Sequence, residues 1–465
     1  MKPTPIVDYT PSSPTKLHRI LGPVSVACVG MGAAIGSGIF ATPGEAAKHL
    51  SSPWTILAVW LAAGIITLLQ SLVTAELATR FPRAGGEYQY LKEAYGEFAA
   101  FFFGWSFTVF IVGGGAGTIA ALFGDFMSEL LRMRQSWASP ALGCMAAAAV
   151  VLVNAAGLRT GAVTQNVLTI TKVLALMGIA IGAVVVAGRL TPIATPTAIP
   201  PSNHGLVEPF FLALLPVFWS YTGATDSAKL AEETRDVRRA LPLALCGSAM
   251  LLTGIYCFYN YALLCAVSPG EMAGQRGIPS MIFDRAGVSY VGDLMRAASA
   301  LVCLGAVSST ILANVRVTYA MARDGLAPKV FGKMSAGQAP IAALVLGGVL
   351  ACAFVVNRSF DQILRIYFTA STVLFGLTYL SLVVFRMRDR RSGTGFPTRA
   401  FRLPGGIGIA LLLVSLEIAL AANIVKSDLD HGATDSLWTI GFLGAMGILY
   451  LLWKRTMPGR SVSDA

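Results

Sequence analysis

The sequence has little charge. Of its 465 residues only 13% are Asp, Glu, Lys or Arg, while 55% are hydrophobic and the mean hydropathy is +0.66. Soluble domains usually carry about 25% charged residues. A chain of this length with half that share has too little polar surface to stay folded in water. The composition therefore excludes a soluble protein and favours one embedded in a lipid bilayer.

Metal-binding and disulfide-forming residues are also sparse. The seven cysteines show no CxxC spacing, and the four histidines are far apart and fall outside the apolar runs. We therefore expect no cofactor, no metal site and no structural disulfide, and no catalytic constellation typical of an enzyme is visible. The net charge of +11 is spread over short loops rather than along one face, so no nucleic-acid partner is expected.

What the sequence has instead is long apolar runs. Residues 1–19 are polar and lack the short apolar core of a signal peptide, so the first run is expected to stay in the protein. Runs of about 20 apolar residues suit spanning helices, whereas barrel strands need about 10 residues of alternating polarity. The sequence predicts an all-α polytopic membrane protein with twelve transmembrane helices, at residues 20–46, 53–79, 97–131, 137–156, 161–188, 207–230, 240–266, 290–322, 339–356, 360–386, 405–426 and 436–454.

Basic residues in the loops predict the orientation. With the N-terminus placed inside, 23 Lys and Arg residues fall on the cytoplasmic side and 10 on the other. Because cytoplasmic loops carry the excess of Lys and Arg, we expect a multi-pass protein of the plasma or inner membrane with both termini cytoplasmic. No stretch between the runs is long enough to fold alone.

The first run contains an anomaly at residues 30–40, where four glycines occur within nine residues. Small residues permit close helix packing in membranes, and the spacing of Gly32 and Gly36 fits that alternative. The contiguous triplet Gly36, Ser37 and Gly38 instead favours a segment where the helix unwinds and exposes its amides, because each glycine costs a helix up to about 1 kcal/mol relative to Ala.

A second anomaly interrupts the sixth run at residues 218–227, where apolar residues give way to polar ones in mid-membrane. Asp226 in this stretch is either functional, a cap for a second half-helix, or paired with Lys229, and capping is the interpretation we favour. Interrupted runs at corresponding positions of two halves indicate a binding site in transporters built from inverted repeats. Free amides suit a carboxylate and free carbonyls an ammonium group, so the pair fits an amino acid.

Four stretches resemble motifs of the amino acid–polyamine–organocation superfamily of permeases. They are GAAIGSGIF at 32–40, the run 75–88 after the second helix, 232–242 after the sixth and 319–328 at the end of the eighth. They occur in the order and spacing of that family. The resemblance implies a LeuT-like fold with a five-plus-five inverted repeat, discontinuous helices 1 and 6 and two extra helices. The expected units are a tail at 1–19, repeats at 20–188 and 207–386, two helices in 405–454 and a tail at 455–465.

The resemblance also implies which residues act. The substrate carboxylate would meet the first break and the amino group the second. Trp219 would be an aromatic gate over the substrate, and a lipid-facing or packing aromatic is the alternative. The expected substrate-binding residues are Ile35, Gly36, Ser37, Gly38, Phe218, Trp219, Ser220, Thr222 and Gly223. Lys172 in the fifth helix would replace a sodium ion or carry a coupled proton, near the hydroxyls of Ser308 and Ser309; a lysine that snorkels to the interface is the alternative.

The sequence thus predicts a sodium-independent transporter of neutral or small amino acids, working by proton symport or exchange. A polyamine or cationic amino acid antiporter and a non-transporting amino acid sensor remain the alternatives. Departures from the family pattern fall in the second break, where Ala224 and Thr225 stand in place of an aromatic residue and an acid. The loop at 132–140 contains no cysteine, so no disulfide-linked heavy subunit is expected.

Overall fold

The computed structural model describes residues 21–36, 38–83, 85–155, 158–188, 207–337, 339–392, 400–430 and 432–456. This part of the chain is helical throughout, with a single β-bridge between Leu21 and Thr234. The two predicted tails lie almost wholly outside the described residues. The helical architecture follows from the composition, because a backbone in hydrocarbon must satisfy its hydrogen bonds within each segment.

Helices occupy every apolar run that the sequence predicts. We number them α1 Pro23–Ala34, α2 Gly38–Ala47, α3 Pro53–Arg80, α4 Glu87–Tyr95, α5 Glu97–Leu130, α6 Ala138–Ala155, α7 Leu158–Ala187, α8 Val207–Tyr221, α9 Val237–Ala266, α10 Pro269–Met272, α11 Ile278–Arg285, α12 Ser289–Arg323, α13 Ile341–Asn357, α14 Phe360–Ser392, α15 Gly406–Asp430 and α16 Asp435–Thr456. Helices α4, α10 and α11 lie between the predicted runs, and the sequence analysis did not anticipate them.

Nine of these helices are long and apolar enough to cross a membrane, judged on the described residues, and α1 with α2 makes a tenth if the bent pair is one span. Helix α13 is apolar but has only 17 residues. The protein is therefore a multi-pass membrane protein. Helices α5 and α12 are the most enclosed: in each, 83% of the most apolar 18-residue stretch is buried. They form the centre of the bundle, beside the broken spans.

At one end of the bundle, which we call the basic end, ion pairs and hydrogen bonds join several helices. There the Glu76 carboxylate accepts hydrogen bonds from Arg80 of its own helix and from Arg386 of α14. Lys92 of α4 pairs with Asp324, which follows α12, at 2.9 Å. These contacts join the ends of α3, α4, α12 and α14. These ion pairs hold the ends of neighbouring helices at the same depth in the bundle.

Candidate functional site

The first span is broken where the glycine triplet predicts. Helix α1 ends at Ala34, Ile35 is fully buried, and α2 begins at Gly38 after a bend of 47°. Ser37 lies outside the described residues. Because glycine has no side chain, the chain can turn here without filling the space at the centre of the bundle.

The sixth span is broken as well. Helix α8 ends at Tyr221, a turn follows, and a 3₁₀ helix runs over Asp226–Glu233. Gly223 in the turn has φ of +96°, a left-handed conformation that residues with a Cβ rarely adopt. The polar stretch therefore does not continue the helix, which confirms the predicted interruption.

The two breaks are in direct contact. A Cβ on Gly38 would lie 2.7 Å from the Ser220 hydroxyl oxygen, and a Cβ on Gly30 would lie 2.8 Å from the Ala224 carbonyl oxygen. Gly223 is equally close to Ala33. The two backbones are so close that a methyl group on any of these glycines would clash. The glycines therefore allow both the close packing and the interruption, which the sequence presented as alternatives.

A tyrosine joins the C-terminal ends of the two half-helices. The Tyr256 hydroxyl of α9 is 3.0 Å from the Ala34 carbonyl oxygen and 2.9 Å from that of Ser220. The Ser220 hydroxyl contacts the Thr42 hydroxyl at 2.8 Å. The Ser220 carbonyl is thus already bonded and buried, and Ser220 acts here as a link between α2 and α8.

A cavity with about 770 Å³ of empty space, part of it open to solvent, lies between the breaks and helices α3, α5, α12 and α14. Among the predicted substrate-binding residues, Gly36, Gly38, Phe218, Trp219, Thr222 and Gly223 line it, as does Asp226. Ile35 and Ser220 do not. The lining combines apolar and aromatic side chains with a few polar groups, which is typical of small-molecule sites.

Aromatic rings cover one side of this cavity. Trp219 makes an edge-to-face contact with Tyr367 of α14, with ring centroids 4.8 Å apart, and a second with Phe368 at 6.1 Å. Trp219 is 6% exposed, so it does not face lipid. On α14, Tyr367 and the cavity-lining Tyr379 are twelve residues apart, or about 18 Å along the helix. The cavity therefore extends from these rings toward the basic end.

Asp226 forms part of a buried charge cluster at the cavity wall. Its carboxylate contacts the Lys229 ammonium at 2.5 Å and accepts a hydrogen bond from the Asn314 amide at 3.1 Å. Lys229 is fully buried and also lies 3.5 Å from Glu87 of α4. Asp226 pairs with Lys229, and Thr225, the N-cap of the 3₁₀ helix, makes no side-chain cap bond. The structure thus shows the pairing with Lys229 that the sequence allowed for Asp226, whereas the capping role favoured from the sequence stays a prediction.

Lys172 lies behind the first break, outside the cavity. Its ammonium donates to the Gly32 carbonyl at 2.7 Å, and the side chain is 1% exposed, which rules out snorkelling to an interface. Ser308 accepts a hydrogen bond from Asn154 at 3.2 Å, and Ser309 donates to Gly305 of its own helix. The hydroxyls are buried at the centre of the bundle, and neither lines the cavity.

Several polar residues of the cavity escaped the sequence analysis. Thr67 and Gln70 on α3, Asn314 on α12 and Tyr379 on α14 all line it. The available signal was a polar side chain inside a long apolar run, and Gln70 and Asn314 carry it most clearly. No group of His, Cys, Asp or Glu within the described ranges is arranged to hold a metal ion.

Comparison with known proteins agrees with this arrangement. A family model described as amino acid permease matches residues 21–451. The b(0,+)-type amino acid transporter 1 of Mus musculus is 28% identical over 447 residues, which cover 94% of this chain and 88% of that protein. The serine/threonine exchanger SteT of Bacillus subtilis (strain 168) is 27% identical over 83% of this chain and 87% of its own length. The Asc-type amino acid transporter 1 of Mus musculus is 28% identical over 80% of this chain and 71% of its own length.

Proposed function

The chain belongs to the amino acid permease family, and on that premise we propose that it is a sodium-independent secondary transporter of neutral or small amino acids. It works by alternating access and couples uptake to proton symport or to amino acid exchange. The relatives named above are transporters rather than enzymes, and this chain offers a binding site for a small molecule instead of a catalytic centre.

The juxtaposition of the two breaks carries this proposal. Helix α2 begins at Gly38 beside the cavity, so its amides and positive dipole end suit the substrate α-carboxylate, together with the backbone of Gly36 and Ser37. Helix α8 ends there, so carbonyls near Trp219 and Thr222 suit the amino group. Both functional groups of a zwitterionic amino acid are satisfied by backbone, which leaves its side chain to the rest of the cavity.

We assign the chain a LeuT-like architecture of twelve spanning helices, with repeats over residues 20–188 and 207–386 and two further helices. Support comes from the position of the breaks, in the first and the sixth span, which correspond under a five-plus-five repeat. The basic end is assigned to the cytoplasm, with both termini on that side and the protein in the cell membrane, because Lys and Arg concentrate there.

Charge within the cavity favours neutral substrates over polyamines and cationic amino acids. Asp226 is the acid that would attract a cationic side chain, and Lys229 and Asn314 already neutralise and bond it. The names of the serine/threonine exchanger and the Asc-type transporter point to amino acid transport too. Thr67, Gln70 and Asn314 offer hydroxyl and amide groups to a polar side chain. We expect the protein to act without a disulfide-linked heavy subunit.

Lys172 provides the basis for sodium independence. Its ammonium takes the position against the Gly32 carbonyl that a bound cation would otherwise fill, and Ser308 and Ser309 lie on the neighbouring helix. A fixed positive charge stabilises the carbonyl end of α1 in the way that a sodium ion would.

Binding and flux test this proposal with purified protein. A thermal-shift screen against the standard amino acids and common polyamines should raise the melting temperature only with neutral amino acids, since a ligand that binds the folded state stabilises it. In liposomes, the same amino acids should support counterflow without sodium. Stabilisation by polyamines alone would reassign the substrate. Saturable binding with no flux under any gradient would identify a sensor instead of a transporter.

A further inference from the structure

A carboxyl group lies inside the bundle in a place that the transport site does not use. Glu417 occurs in α15, eleven residues after Gly406 and thus about 16 Å into the helix. It is only 4% exposed, and its neighbours in the sequence are almost all apolar. Among the residues that the structure describes, it has no hydrogen-bond donor and no cation in contact.

Glu417 packs against the helix that lines the cavity. A Cβ on Gly376 of α14 would lie 3.7 Å from the Glu417 Cβ. Phe375, which precedes this glycine, and Tyr379, three residues after it, both line the cavity. Glu417 therefore packs on α14 at a position one residue from the cavity wall.

The titratable groups that face Glu417 are neutral ones. Tyr367 and Tyr379 of α14 are near enough to interact with it electrostatically. Helices α3, α14 and α16 contact α15, and their described charged residues lie toward the helix ends. Tyr450 of α16 packs against α5 and not against Glu417. These end charges are Glu76, Arg80, Arg365, Arg386, Arg388, Asp389, Arg390, Arg391, Asp435, Lys454 and Arg455.

Burial decides the protonation state of such a group. An ionised carboxylate without a partner in a low-dielectric interior costs several kcal/mol, whereas the neutral acid costs no more than a buried polar group. An isolated acid within a membrane helix is expensive and marks a proton or ion pathway more often than a structural contact. In this conformation the Glu417 carboxyl is therefore expected to hold its proton.

We propose that Glu417 is a proton-binding site through which pH controls the movement of α14 during transport. The proposal rests on the transport function above and deepens it. With α14 packed against α15 the carboxyl is protonated. When α14 moves away and water enters, the O–H bond breaks and the proton passes to a water molecule, which leaves a carboxylate and a hydronium ion. Because Tyr367 of α14 contacts Trp219, the same movement changes the aromatic cover of the cavity.

Counterflow in liposomes tests this site. Vesicles loaded with a mixture of unlabelled neutral L-amino acids take up the same mixture in radiolabelled form, with equal pH on both sides. The wild type, Glu417→Gln, Glu417→Asp and the control Glu97→Gln are compared from about pH 5 to about pH 8, the range in which buried acids titrate. Glu97 is exposed at the start of α5, so its variant controls for loss of a carboxylate as such.

The expected result is a rate that changes several-fold with pH in the wild type, in Glu97→Gln and in Glu417→Asp. In Glu417→Gln, a permanent mimic of the neutral acid, the rate should vary by less than about twofold and stay near the low-pH value of the wild type. An unaltered pH profile in Glu417→Gln would overturn the assignment, as would a flat profile in the wild type. Counterflow whose rate does not change with pH would still support the transport function, whereas no counterflow at any pH would contradict it.

Discussion

Single residues decide the local chemistry around the first break, and Lys172 shows this most directly. One ammonium group, fully enclosed, makes one hydrogen bond to the Gly32 carbonyl at the end of α1. A buried carbonyl without its donor costs about 1–3 kcal/mol. The cavity that we propose as the substrate site begins beyond this carbonyl, at Ala33 and Ala34, so we expect the lysine to act on binding through the helix end.

Lys172→Met removes the ammonium but keeps most of the side-chain volume. We expect the counterflow rate to fall about tenfold or more at every pH, because about 1.4 kcal/mol corresponds to a factor of ten. The matched variant Lys48→Met changes an exposed lysine that pairs with Glu45, and its rate should stay within about twofold of the wild type, since exposed pairs contribute little. Equal rates in both variants would show that Lys172 is only a packing residue.

At the scale of elements, the two broken spans act as one unit. Their backbones touch at Gly30, Gly38 and Gly223, and Tyr256 holds the ends of α1 and α8 together. Each helix alone would lose hydrogen bonds at its break, which in a bilayer is costly. The hydroxyl of Tyr256 and the ammonium of Lys172 give carbonyls at these breaks their partners. The interruptions are therefore stable only in the assembled bundle.

Gly38→Ala tests this contact. The new methyl group would lie 2.7 Å from the Ser220 hydroxyl oxygen and 2.8 Å from the Ser220 Cα, so α2 and α8 must separate. We expect a lower melting temperature in detergent and at least a tenfold loss of counterflow, since overpacking costs typically about 1–3 kcal/mol. Gly444→Ala on α16 has no atom within 4 Å and controls for the substitution itself. Wild-type transport in Gly38→Ala would show that the contact is not required.

The whole molecule has two unlike ends. The basic end joins α3, α4, α12 and α14 through Glu76 and Asp324. At the opposite end Arg296 pairs with Asp284 and Asp293, and Arg358 pairs with Asp435. The cavity extends toward the basic end, away from the cover formed by Trp219 and Tyr367. Under the proposed orientation, with the basic end in the cytoplasm, we expect this conformation to face inward.

Cysteine labelling in intact cells tests this orientation. In a background without native cysteines, Arg134→Cys should react with a membrane-impermeant maleimide from outside, because residue 134 is exposed in the loop between α5 and α6. Lys333→Cys, exposed in the loop after α12, should react only after the cells are permeabilised. This expectation rests on the excess of Lys and Arg that cytoplasmic loops of membrane proteins carry. The reverse pattern of labelling would invert the protein and its termini.

The sequence by itself determined the class of protein, the helices over the apolar runs and the position of both breaks. Apolar runs of spanning length admit one kind of backbone in a bilayer, and the glycine triplet and the polar stretch 218–227 disrupt that backbone locally. The resemblance to permease motifs supplied the family, which the family model confirms. Each of these features depends on residues that are close together in the chain, so it can be recognised in a single sequence.

Only the tertiary structure decided which polar groups meet. Asp226 could cap a helix or pair with Lys229 by sequence alone, and the arrival of Asn314 and Glu87 from other helices fixed it in a cluster. Ser220 links α2 and α8 because Tyr256 and Thr42 reach it, and its contact with substrate stays a prediction. Glu417 was visible as an acid in an apolar run, but its place beside Gly376 was not. Burial and partnership are properties of packed helices, and in low dielectric they determine the state of every charge.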